Sequence, residues 1–72
     1  MTYIERLNEL RRCRNIKQAE IAEILNCRQA AVSKYERGEL RYKVEQIIEL
    51  CKFYNVSADY IFGLSENKNI RK

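Results

Sequence analysis

Residues 29–38 read QAAVSKYERG. At helical spacing Val32, Tyr35 and Glu36 fall on one side of this stretch, and Gln29, Ala30, Ser33 and Lys34 fall on the other. The first set suits a protein interior. The second is short, polar and mostly uncharged, which is unusual for a helix face that meets only water. Gly38 can take the left-handed conformation that ends a helix. The stretch is therefore expected to be a helix over 29–37, packed on one side and presented to a partner on the other.

The flanking sequence supplies the rest of a small helical domain. A helix over 18–25 carries Ile21, Ala22 and Leu25 on one side and ends at Asn26, which tolerates the left-handed region better than most residues. About three residues then remain for the turn into the 29–37 helix. Upstream, Thr2 and Glu5 have the spacing of a capping box and start a helix over 3–14, with Ile4, Leu7 and Leu10 as its apolar stripe and Arg11 next on that stripe. Downstream of the polar link GELRYK, a helix over 44–54 places Val44, Ile47, Ile48, Cys51 and Tyr54 at helical spacing, widened by Leu50 and Phe53. Ser57 caps a short fifth helix with Asp59 in its first turn and Ala58, Ile61 and Phe62 as apolar positions, stopped by Gly63. No stretch alternates as a strand would. An all-α fold of five helices is expected, with a domain over residues 1–65 and a polar tail over 66–72.

Composition narrows the function. At 72 residues the chain holds one small domain and leaves no room for a sensor domain, so no small-molecule ligand is expected. It lacks an apolar run long enough to cross a bilayer, and Met1 is followed by TYIER rather than by a signal-peptide core, so a cytoplasmic location is expected. Cys13, Cys27 and Cys51 are odd in number, widely spaced and without any histidine, which argues against a zinc site, a disulfide framework or an activated thiol. No metal, no cofactor and no catalytic residue is expected. The net charge is +4, and the bases are grouped: Arg11, Arg12, Arg14 and Lys17 in one cluster, Arg28, Lys34, Arg37, Arg41 and Lys43 in another. Two basic clusters flanking an uncharged polar helix face suit a polyanionic partner.

Three segments in order, LRRCRNIKQAEIAEILN, VSKYERG and FYNVSADYIFGL, resemble the Cro and lambda-repressor type of helix-turn-helix regulators, the Xre-like family, over roughly residues 4–64. The resemblance implies a compact lambda-repressor-like domain that binds double-stranded DNA, with its third helix in the major groove. It implies base contacts from Gln29, Ala30, Ser33 and Lys34, and backbone contacts from Gln18, Arg41, Tyr42 and Lys43. The side-chain chemistry agrees: Gln pairs with adenine, Lys with guanine, and an Ala methyl packs on thymine. The chain departs from the family at Asn26, where Gly is usual, at Tyr42-Lys43, where Pro-Ser is common, and at Arg28, where a Ser or Thr caps the recognition helix. Arg28 cannot accept the orphan N–H bonds, so a nearby phosphate or water is expected to take that role, with Arg28 as a further DNA contact.

Two expectations concern pairing. Arg11 and Glu36 each follow an apolar anchor by four residues, and opposite charges on stripes that share a core are expected to bridge. In the fifth helix Tyr60, Ile61, Phe62 and Leu64 stand too close together for all to turn inward, so an apolar patch with a polar rim over residues 65–68 is expected to join two copies as a homodimer. The leading functional reading is a sequence-specific regulator, a repressor that occupies a palindromic operator. The other is a protein-interaction module, such as the antitoxin of a toxin-antitoxin pair.

Overall fold

The computed structural model describes residues 2–64, so the tail over 66–72 and the polar rim over 65–68 lie outside the described residues. Five helices follow one another: α1 (Tyr3–Cys13), α2 (Gln18–Leu25), α3 (Gln29–Glu36), α4 (Val44–Tyr54) and α5 (Ala58–Ile61). No strand occurs among the described residues.

The helices differ in how they start. Thr2 Oγ1 accepts from the Glu5 N–H at 3.2 Å while the Thr2 N–H donates to Glu5 Oε1 at 3.3 Å, a complete capping box that holds the Glu5 carboxyl below its usual range. Ser57 Oγ likewise accepts from the Tyr60 N–H at 3.1 Å. The N-caps of α2 and α3 are Lys17 and Arg28, and no side chain caps either helix.

They end alike. Asn15, Asn26, Gly38, Asn55 and Gly63 all have positive φ, between 54° and 79°. The N–H of the residue after each reaches back five positions: Ile16 to Arg11, Cys27 to Ala22, Glu39 to Lys34, Val56 to Cys51 and Leu64 to Asp59, at 2.7–3.0 Å. This is the bond that satisfies free carbonyls at a helix end.

α2 packs against α3 and α4, α1 against α3 and α5, and α5 against α4. Leu7, Leu10, Ile21, Ala22, Val32, Tyr35, Tyr42, Ile47, Leu50, Cys51, Tyr54, Val56, Tyr60 and Ile61 form the shared core. Leu25 is only partly buried, and Ala58 is exposed rather than apolar filling for α5.

α4 is rotated from the stripe expected of it. Val44 and Ile48 are exposed, 68% and 45%, whereas Leu50 is buried and forms the inward face with Ile47, Cys51 and Tyr54. Leu50 and Tyr54, each 1% exposed, are the large side chains this orientation buries, and at the edge of the same face Gln46 Nε2 donates to Tyr35 Oη at 3.2 Å while Gln46 Oε1 accepts from the Lys43 N–H at 2.8 Å.

Candidate nucleic-acid interface

α3 is fixed from behind and open in front. Val32 has no exposed surface and Tyr35 only 9%, and the Tyr35 ring stacks on Tyr42 with centroids 4.6 Å apart and planes 15° apart. Gln29, Ala30 and Lys34 are exposed and Ser33 is partly so. A helix held by a buried valine and a stacked aromatic pair presents its outer side chains on a rigid support, which precise recognition requires.

Ser33 is less free than its neighbours. Its Oγ accepts from Arg37 Nη1, and the Arg37 guanidinium also pairs with the Glu39 carboxylate. That contact holds the exposed Glu39 carboxyl below its usual range.

The starts of α2 and α3 carry donors without acceptors. In α2 the first bonds are those of the Glu20 and Ile21 N–H groups to Lys17 O, and in α3 those of Ala31 and Val32 to Arg28 O. The N–H groups of Gln18, Ala19, Gln29 and Ala30 precede them and have no partner within their helices. A basic residue beside an uncapped positive helix end is electrostatically unfavourable, and an anion relieves it.

Beneath this surface the structure brings Arg11 and Glu36 together. Arg11 Nε donates to Glu36 Oε2 at 2.6 Å and Arg11 Nη2 to Glu36 Oε1 at 2.9 Å, with side chains 17% and 11% exposed. Arg11 Nη1 also donates to Ile16 O at 3.0 Å, and Asn8 Nδ2 to Glu36 O at 3.1 Å. Gln18 joins the pair through a bond from its Nε2 to Glu36 Oε1 at 2.9 Å. The bridge is thus the centre of a five-residue network of Asn8, Arg11, Ile16, Gln18 and Glu36 that links α1, α2 and α3. The parts played by Asn8 and Gln18 escape sequence reasoning, since polar residues at helix surfaces carry no signal of which carboxylate they reach.

Other expected contacts separate by burial. Arg28, Arg41 and Lys43 are exposed. Tyr42 is not: with 8% exposure and its ring on Tyr35, it is a core residue of the α3–α4 link. One signal pointed there, a lone aromatic in a link, GELRYK, whose other side chains are charged apart from Leu40. In α5, Tyr60 and Ile61 are buried, 7% and 0%, because α5 needs both to close the core against α1 and α4, so they do not form a surface. Phe62 and Leu64 are exposed, 50% and 79%, although Phe62 keeps one side on Tyr3 at 5.7 Å. The expected dimer patch reduces to these two.

Burial raises the Cys27 and Cys51 thiols above their ordinary range, away from nucleophilic use. No described helix is long and apolar enough to cross a membrane.

Two short helices joined by a tight turn through Asn26, the second packed on one side and free on the other, define a helix-turn-helix protein. The helix-turn-helix family (HTH_3) matches residues 7–61, and the chain belongs to it. Among curated proteins it is similar to the HTH-type transcriptional regulator ImmR of Bacillus subtilis, 36% identical over 92% of this chain and 52% of the relative. It is also similar to the uncharacterized HTH-type transcriptional regulator YobD of Bacillus subtilis, 28% identical over 90% of this chain and 58% of the relative. The HTH-type transcriptional activator BcrR of Enterococcus faecalis is 32% identical over 92% of this chain and 32% of the relative. The chain spans a little over half the length of the first two of these relatives. No solved structure matches it significantly.

Proposed function

We propose that this chain is a sequence-specific DNA-binding regulator of transcription that reads the major groove with α3. The observation that carries the reading is the construction of α3: Val32 and Tyr35 locked in the core behind an exposed Gln29, Ala30 and Lys34. Gln29 and Lys34 supply the hydrogen bonds that distinguish adenine and guanine, and Ala30 packs on a thymine methyl. Ser33 Oγ already accepts from Arg37, so its remaining proton suits a base acceptor. Gln18, Arg28, Arg41 and Lys43 hold the phosphates. Tyr42 acts by packing, setting the link that carries Arg41 and Lys43. The family and the names of the relatives support the class of function.

Within that class the chain acts as a repressor, occupying an operator and excluding polymerase. One recognition helix of eight residues specifies too few base pairs against a genome of competing sites, so two copies bind a palindrome with half-site centres about 10 base pairs apart. Phe62 and Leu64 are the exposed apolar residues at the α5 end that suit the contact between copies. Sequencing of genomic fragments retained by the protein, followed by footprinting, tests the reading. A recurrent motif with dyad symmetry and two copies bound at saturation is expected. Retention without sequence preference would refute specific recognition, and a protected site without a dyad would refute the dimer.

A further inference from the structure

The Gln18 carboxamide is bound at one end only, and the group that binds it is shared. Glu36 Oε2 takes Arg11 Nε at 2.6 Å, and Glu36 Oε1 takes both Arg11 Nη2 and Gln18 Nε2 at 2.9 Å. An ionised carboxylate only accepts and a guanidinium only donates. The amide therefore has one favourable orientation: its NH2 group faces Glu36, since the flipped rotamer would set the amide oxygen against the carboxylate. One Nε2 hydrogen is used in this way and the second is left for an acceptor outside the network. Gln18 is also the first residue of α2, beside the backbone N–H groups of Gln18 and Ala19 at an uncapped helix start.

We infer that Glu36 is a positioning residue for phosphate binding: through Oε1 it fixes the Gln18 carboxamide so that the second Nε2 hydrogen joins the α2 backbone donors on one phosphate of the DNA. The inference rests on the DNA-binding reading above and adds a role for an ion pair that otherwise serves the core. Its consequence is that the same carboxylate ties the packing of α1 on α3 to the grip of α2 on the backbone. Because Gln18 is neutral, the contact releases no counterion, and its loss lowers affinity without changing the salt slope.

The test replaces the pair by apolar residues of similar volume, Arg11→Met with Glu36→Leu, which leaves net charge unchanged and spares the fold an unpaired buried charge. Affinity for the selected site and for random DNA is measured in the unaltered chain and in a Gln18→Ala background. Expected is a loss of about three- to tenfold on both DNAs with the salt slope unchanged, and no further loss once Gln18 is Ala. Unchanged affinity, or the same loss in the Gln18→Ala background, would overturn the positioning role while leaving DNA recognition intact. An unaltered chain that binds no DNA would overturn both. Should the double variant fail to fold, the amide proton spectrum of the unaltered chain decides: one Gln18 carboxamide proton shifted and slow to exchange supports the role, and two protons exchanging equally with water overturn it.

Discussion

At the scale of single residues, the Arg11–Glu36 pair carries the most consequence. Each charge has lost most of its water, with side chains 17% and 11% exposed, and each is compensated by several hydrogen bonds. Removing one partner leaves the other unpaired in a poorly hydrated place, so Glu36→Leu or Arg11→Met alone is expected to cost about 3 kcal/mol. Changing both together is expected to restore much of that. Urea denaturation of the four proteins of this cycle checks it: a double variant as unstable as the sum of the singles would mean that the two groups act separately. The pairing of these residues was readable from the sequence, because two opposite charges stood on stripes that had to meet. Gln18 as its third member was not, since an amide at a helix start has many acceptors within reach.

At the scale of elements, the helix ends are set more by asparagine than by glycine. Among the described residues three of the five at positive φ are Asn15, Asn26 and Asn55, and of these three only Asn26 was expected in that role. An L residue with a Cβ is strained in this region, and Asn eases the strain only in part. Asn26→Gly is therefore expected to keep or raise the melting temperature, and Asn26→Ala to cost about 1 kcal/mol; equal stability of the two variants would mean that the turn is set by something other than φ. α4 shows why the rest of the elements was harder to read. Its apolar residues cover more than half of the helix, so spacing alone allowed either the Val44–Ile48 edge or the Leu50 edge to face inward. The Leu50 edge is the one buried, with Tyr54 beside it, and Gln46 next to it reaches Tyr35 Oη. Tyr42 is a similar case: a resemblance placed it against DNA, and the stack on Tyr35 places it in the core. In α5 the crowding of apolar residues was legible, but the division into buried Tyr60 and Ile61 and exposed Phe62 depends on where α1 and α4 lie.

At the scale of the whole molecule, one core joins all five helices, and it contains phenols whose ionisation it opposes. Burial pushes the Tyr54 hydroxyl up to about 12 from an ordinary value of 10, against the moderating charges of Arg11 and Arg14, and burial raises Tyr42 as well. A group whose ionisation is harder in the folded state contributes stability that is complete below its unfolded value and is lost as pH rises through the folded one. This contribution is therefore expected to be complete up to about pH 10 and to fall away between pH 10 and 12. Phenolate absorbance and helical circular dichroism recorded together check this. Ionisation of Tyr42 and Tyr54 near pH 10 with the helices intact would show that the core does not exclude the phenolate.

The proposal that α3, held by this core, reads DNA sequence is tested most directly by binding of two variants. Affinities of Gln29→Ala and Arg41→Ala are compared with the unaltered chain on the selected operator and on a scrambled duplex of equal length. Gln29→Ala is expected to cost about 1–3 kcal/mol on the operator and little on the scrambled DNA, because a base contact is lost. Arg41→Ala is expected to weaken both alike and lower the salt slope by about one. If Gln29→Ala weakens the operator and the scrambled duplex equally, the outer face of α3 does not read sequence.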